Sequence, residues 1–388
     1  MKPHAPDSMI RLYELRLSAD SFANVRDTLR STWLTSGPRV KEFESAVARI
    51  CRVRHAAAVN SCTNGLVLAL QALGLQGGEV ITTPFSFVAT AEAIMHAGAQ
   101  PVFADIDPHS LNIDPEEVAR KVTPHTRAII AVDIAGLPAE YDRLRKVADH
   151  FTLPVIADAA HSFGALYRRK SVAQVTDAAV FSFHATKNLT CGEGGMVVSR
   201  HKILADRVRL LAMHGLTKDA HRRREEAGWR YDVIAPGRKA NMSDVHAAIG
   251  LGQLPEFERR QQKREALVQR YCDNLSALSE YIDLPSPPKY VRHAWHLFII
   301  RLNIDSLTIS RDRFIDAMKA RRVECGVHYI PMFELSLFRS AGFNEHIFPN
   351  AAWVGRRVVT LPLYPLLTFR QIDYICDAIA DIVVKHRR

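Results

Sequence analysis

Short apolar runs alternate with longer amphipathic stretches through the first 250 residues of the chain. Residues 55–59, 79–82, 101–105, 127–132, 155–158 and 178–183 read as strands, and 65–73 and 88–96 carry helical spacing between them. Helices between strands imply parallel pairing and right-handed crossovers. The near-continuous apolar character of the runs implies a sheet buried on both faces. From about residue 251 the texture changes. Positions 256–278 form a long, strongly charged helical pattern suited to joining two domains, 295–302 reads as a strand, and 311–320 as a helix. The pattern predicts an α/β chain, with a large domain over 1–250 built on a mostly parallel central sheet and a smaller α+β domain over 251–388.

At 388 residues the chain can bury a sizeable core, and two domains are expected. No apolar run approaches the length needed to cross a bilayer, and Met1-Lys2-Pro3-His4-Ala5-Pro6-Asp7 has no apolar signal core. Cys51, Cys62, Cys191, Cys272, Cys325 and Cys376 are scattered without a CxxC pair. That predicts neither a zinc site nor a disulfide framework and fits a reducing cytoplasm. The net charge of +10 raises the question of nucleic acid, but the basic residues are dispersed. The one dense cluster, His221-Arg222-Arg223-Arg224, runs straight into Glu225-Glu226 and reads as a solvated face. No nucleic-acid module accompanies the charge. Its expected role is to attract anionic substrates such as nucleotide diphosphates.

Candidate chemistry gathers where strands end, as it does at the carboxyl edge of an open α/β sheet. Residues 179–198 read Ala-Val-Phe-Ser-Phe-His-Ala-Thr-Lys-Asn-Leu-Thr-Cys-Gly-Glu-Gly-Gly-Met-Val-Val. An apolar run ends at Ser182, Lys187 follows, and a glycine-rich turn leads into a second apolar run. A lysine partly desolvated at such a place has a lowered pKa and an amine free to form a Schiff base. Upstream, Pro154-Val155-Ile156-Ala157-Asp158 sets a carboxylate at another strand end. A helix N-cap is the plain reading of Asp158. With Lys187, it is also the carboxylate that keeps the pyridine nitrogen of pyridoxal phosphate protonated while the lysine holds the aldehyde.

These residues resemble the sugar aminotransferases of the DegT/DnrJ/EryC1/StrS family, pyridoxal-phosphate enzymes of fold type I that act on nucleotide-linked keto sugars. The resemblance runs from about Leu34 to Pro365. Besides 181–195, it is carried by Trp33-Leu34-Thr35-Ser36-Gly37-Pro38, Pro84-Phe85-Ser86-Phe87-Val88-Ala89-Thr90, Met213-His214-Gly215, Asn241-Met242-Ser243-Asp244-Val245, His293-Ala294-Trp295-His296-Leu297-Phe298 and Gly326-Val327-His328-Tyr329-Ile330-Pro331.

The resemblance implies roles for these positions. Lys187 and Asp158 are catalytic. His161 lies near the ring's phenolic oxygen, a packed core imidazole being the alternative. Phe87 stacks on a face of the pyridine unless it is plain core. The turn holding Cys62 and Thr63 opens a helix whose free N–H groups suit the phosphate, with Ser182 adding a hydroxyl. The family usually has glycine where Cys62 stands. Asn241 matches an asparagine that reaches the phosphate from the neighbouring subunit, which implies a homodimer with shared sites.

His184, His296, His328 and Tyr329 match positions near the sugar pocket or belong to the core. Phe333 and Asp133 stand where the family often carries histidine. The implied reaction moves the amino group of L-glutamate to a nucleotide-linked 4-keto sugar. The Gly-Glu-Gly-Gly turn resembles C4-aminating members, especially those making UDP-4-amino-4-deoxy-L-arabinose. The alternatives are C3 amination, a sugar dehydratase of the same fold, and a non-catalytic regulator.

Overall fold

A computed structural model describes residues 8–217 and 229–388. The 221–226 charge cluster and Met1–Asp7 lie outside the described residues. Among the described residues thirteen strands form three sheets: β1 His55–Val59, β2 Glu79–Thr82, β3 Gln100–Phe103, β4 Thr126–Val132, β5 Val155–Asp158, β6 Leu166–Tyr167, β7 Lys170–Ser171, β8 Ala178–Ser182, β9 Gly195–Ser199, β10 Ile282–Asp283, β11 Val291–Arg292, β12 Phe298–Leu302 and β13 Val358–Leu361.

The central sheet has the order β1-β9-β8-β5-β4-β2-β3. Its β8, β5, β4, β2 and β3 pair in parallel. β9 is antiparallel to both neighbours, so it alone runs against the other six. The reason is local: only the lysine-bearing loop separates β8 from β9, with no crossover helix, and such a connection forces a hairpin.

Alternate residues of each strand feed different cores, as a doubly covered sheet requires. Ile129, Ala131, Ala157 and Phe181 point into one core with Phe43 and Val47 of the helix Pro38–Ile50 and Leu144 of Tyr141–His150. Ala128, Ile130, Ile156 and Val180 point into the other with Leu66 and Leu70 of Cys62–Ala72 and Val208 of Lys202–Leu211. Two N-terminal helices, Ala19–Arg30 and Pro38–Ile50, precede the first strand.

The charged pattern after residue 251 forms the helix Phe257–Leu275, flanked by short 3-10 turns. Beyond it β10, β12 and β13 make an antiparallel sheet. Its apolar residues pack with the helices Arg311–Ala320 and Phe369–His386 around Phe298, Ile300, Phe314 and Ile379. Ile10 joins that core through a bridge to Val323. Only 298–302 of the expected strand at 295–302 is extended sheet. Trp295 and His296 precede it, and the His296 N–H donates to the carbonyl of Ala135 in the loop after β4. That departure from the ladder sets His296 beside the large sheet. Among the described residues no helix is long and apolar enough to cross a membrane.

Candidate active site

Val132 of β4, Asp158 of β5 and Val180 of β8 are register neighbours, so the loops after these strands open at one edge of the sheet. Asp158 ends β5, is 6% exposed and caps no helix. Its Oδ2 accepts the Thr90 hydroxyl at 2.7 Å and its Oδ1 accepts the Ala160 N–H at 3.2 Å. The Cys62 thiol donates to the same Oδ1 at 3.8 Å and to the Val180 carbonyl at 3.4 Å. Among the described residues no cation forms an ion pair with this carboxylate. Burial raises its pKa against the opposing pull of Thr90, Ala160 and Lys187. A buried anion with only neutral donors is suited to a cationic N–H ligand.

Lys187 lies in the loop between β8 and β9, with Nζ 3.5 Å from His296 Nε2. Desolvation lowers its pKa from 10.5 to about 8, partly offset by the nearby Cys62 and Asp158. Keeping the ammonium there costs on the order of 3 kcal/mol relative to water. His296 is 8% exposed, and burial with Lys187 close by drives its pKa well below the usual imidazole range. Its tautomer follows from its neighbours. The Asn188 amide N–H is taken by the Ala294 carbonyl at 2.7 Å, which leaves Asn188 Oδ1 to accept from His296 Nδ1 at 3.3 Å. Nε2 therefore offers its lone pair to Lys187.

His161 packs its ring 4.5 Å from that of His296 and bonds the Tyr329 hydroxyl through Nε2 at 3.0 Å. Burial keeps His161 neutral and raises the Tyr329 phenol. His161 Nδ1 is buried without a protein partner, a polar atom left for a ligand. Phe87 is 59% exposed and 6.0 Å from the Tyr329 ring. It is not core, and its free face suits a planar ring.

The helix Cys62–Ala72 begins beside Asp158. Its N-cap Ser61 accepts from Asn64 N–H through the side chain and from Gly65 N–H through the carbonyl. The N–H groups of Cys62 and Thr63 are left over, the arrangement an anion uses. Gly195 permits the close approach of this turn: a Cβ there would lie 2.6 Å from the Ser61 carbonyl carbon and 2.7 Å from Cys62 N. Ser182, opposite Gly195 in the register, ends β8 with its hydroxyl accepting the His184 N–H at 3.4 Å.

Asn241 bridges to Val59 at the end of β1 in its own chain. Its amide N–H donates to Ser36 Oγ at 2.6 Å, and its Oδ1 is buried without a partner. Its second N–H reaches only the Met242 carbonyl, at 3.5 Å.

The remaining residues separate. His328 is half-buried, its Nδ1 2.9 Å from Thr360 Oγ1, and burial lowers its pKa to about 4. His184 is exposed and bonds Thr186, away from the cluster of Asp158, His161 and His296. Phe333 is core, stacked on Phe348 at 5.8 Å. Asp133 is fully buried, accepting from Tyr141, Ser162 and Ala139, and desolvation raises its pKa to about 7. Sequence reasoning missed Thr90, Asn188 and Ser36. Thr90 lies within the 84–90 motif, but nothing local reveals that it faces a carboxylate 68 positions away.

The family profile of the DegT/DnrJ/EryC1/StrS aminotransferases matches residues 16–380. The chain belongs to that family. It is 40% identical to the spore coat polysaccharide biosynthesis protein SpsC of Bacillus subtilis, over 95% of each chain. Spr1654 of Streptococcus pneumoniae, solved in its PLP form, superposes with a TM-score of 0.90, at 28% identity, over 97% of this chain and 99% of that one. DesI, solved with its TDP-sugar product, superposes at 0.88, with 33% identity, over 97% and 93%. This family member is a sugar aminotransferase that depends on pyridoxal phosphate. The residues present fit that cofactor: a buried carboxylate lacking a cation, a lysine with a lowered pKa, an orphaned His161 Nδ1 and an open helix N-terminus.

Proposed function

We propose that the enzyme moves the amino group of L-glutamate to C4 of a nucleotide-linked 4-keto sugar. The observation that carries this is the pairing of Lys187, its pKa brought to about 8, with Asp158 buried at the neighbouring strand end. When bound, pyridoxal phosphate supplies an aldehyde for the amine and a protonated ring that draws electrons from Cα. The protein's residues do the rest. Asp158 holds the ring nitrogen's proton, and Thr90 and Cys62 fix the carboxylate. Cys62 N, Thr63 N and Ser182 hold the phosphate, and Phe87 covers one ring face. Lys187 Nζ takes the proton from the donor's Cα and returns it, with His296 Nε2 beside it.

The Gly-Glu-Gly-Gly turn favours C4, and the TDP-sugar in DesI supports a nucleotide-linked acceptor. C3 amination is the second reading. Lys187 itself argues against a dehydratase, whose family members lack that lysine, and against a regulator with no chemistry. The proposal includes a cytoplasmic homodimer, Asn241 completing the partner's phosphate site, and a division near residue 250 into a large cofactor-binding and a smaller C-terminal domain. Glutamate with a panel of UDP-, GDP- and dTDP-4-keto sugars tests it. A 4-amino sugar nucleotide is expected, and no amination of any 4-keto acceptor would overturn the C4 reading.

A further inference from the structure

Asp133 directly follows β4 and is wholly buried, yet the chemistry described above makes no use of it. Its Oδ1 accepts the Ala139 N–H at 2.9 Å and the Tyr141 hydroxyl at 2.7 Å. Among the described residues its Oδ2 has one partner, the Ser162 hydroxyl. Its own N–H donates to the Asp158 carbonyl at 3.1 Å. Ser162 is 1% exposed and adjoins His161. Through Ser162 the carboxylate therefore reaches the turn that carries His161.

The loop after Asp133 touches the second imidazole of the site. Asn112 clamps it, accepting the Ile134 N–H at 2.9 Å and donating to the Leu137 carbonyl at 3.0 Å. The Ala135 carbonyl accepts the His296 N–H at 2.9 Å, and the Gly136 carbonyl accepts the Ala294 N–H at 2.9 Å. Gly136 has a φ of 99°, and a Cβ there would lie 2.8 Å from the His161 carbonyl oxygen and 3.2 Å from Trp295 N. Only glycine fits such a wedge without strain. The loop is thus held between the backbones of His161 and His296, whose rings meet at 4.5 Å.

We propose that Asp133 is a positioning residue: through Ser162 and the 134–137 loop it fixes the His161 imidazole against that of His296 and keeps His161 Nδ1 turned to the cofactor. The inference rests on the reading of His161 as a cofactor-facing residue and adds what holds it there. Asp158 does not depend on this tie, because the β5 ladder and Thr90 already hold it. His161 depends on it more, since among the described residues its ring has one hydrogen-bond partner, Tyr329. Hydrogen bonds to a carboxylate are short and directional, which suits one to fixing a turn.

Asp133→Ala would strand three buried donors and endanger folding, so the test cuts single bonds. Ser162→Ala removes the sole partner of Oδ2. Tyr141→Phe removes one of the two partners of Oδ1 and leaves the tie to the His161 turn whole. Both should lower the thermal midpoint. Ser162→Ala alone is expected to raise the Kd of apoprotein for pyridoxal phosphate about tenfold, and to slow the loss of yellow absorbance on adding glutamate by a similar factor, as misplacement of a site group does. In a His161→Phe background, Ser162→Ala should add nothing further to the Kd. Three outcomes overturn the proposal: Ser162→Ala changes the Kd no more than Tyr141→Phe, its effect persists undiminished without the imidazole, or His161→Phe binds the cofactor as wild type does. The Kd is read on apoprotein without donor or acceptor. If glutamate discharges no absorbance in the wild type, the donor reading fails while the Kd comparison still decides the role of Asp133.

Discussion

Thr90 and Asp158 meet at 2.7 Å, hydroxyl to carboxylate, with both side chains almost wholly buried. Thr90 is 1% exposed and sits in the first turn of the helix Ala89–His96, so the loop after β2 is tied directly to the end of β5. Thr90→Val keeps the shape and removes the donor. A partner of this kind supports the group that touches the ligand, and its loss is expected to lower kcat about 10–100-fold. Thr90→Ser should recover most of the loss. Full activity in Thr90→Val, measured with glutamate and acceptor, would show that the contact is only structural.

Lys187 has its pKa lowered to about 8, so its free amine becomes the major form above that pH instead of above 10.5. The rate at which apoprotein captures pyridoxal phosphate should therefore rise with pH and level off above about 8. A rise continuing toward pH 10 would show that burial does not tune this amine. Lys187→Ala should eliminate turnover and the yellow absorbance that glutamate discharges.

Asp158→Asn replaces the carboxylate with a neutral amide that cannot hold the ring proton. Cofactor is expected to stay bound while proton removal from glutamate slows by orders of magnitude, followed as single-turnover loss of absorbance. Wild-type rates would remove Asp158 from the ring-nitrogen role.

Asn241 distinguishes a shared site from a self-contained one. Within its own chain the amide is held by Ser36 and lies against β1. If it serves the partner's phosphate, a mixed dimer of Lys187→Ala and Asn241→Ala subunits has one doubly damaged site and one intact site. Activity should then exceed the average of the two parents. Activity equal to that average would assign Asn241 to its own chain's site.

The strands β1, β2 and β5 were legible to the residue because their runs are short, β1 and β2 being bounded by polar or turn residues and β5 opening after Pro154 and ending on Asp158. The reversed direction of β9 was not read from periodicity, since an apolar run looks the same in either direction and only the missing crossover helix betrays it. Lys187 and Asp158 were legible as strand-end residues. Phe87 was ambiguous because an aromatic after a strand reads equally as core or as a ligand face, and its 59% exposure removes the core reading. Thr90, Asn188 and Ser36 were hidden for a common reason. Each acts on a group distant in sequence, and no local pattern records a tertiary partner.

The hairpin of β8 and β9 has a mechanical consequence. Ser182 and Gly195 face each other at its mouth, and Phe183 and Gly194 close the next rung with a 2.9 Å hydrogen bond. The lysine is thus strung on a short bow whose two feet stand side by side in the sheet. One foot, Gly195, also presses against the turn at Ser61 and Cys62. A methyl group added there would push on the Ser61–Cys62 turn and the bow together, so the approach of that turn to the lysine loop depends on this glycine.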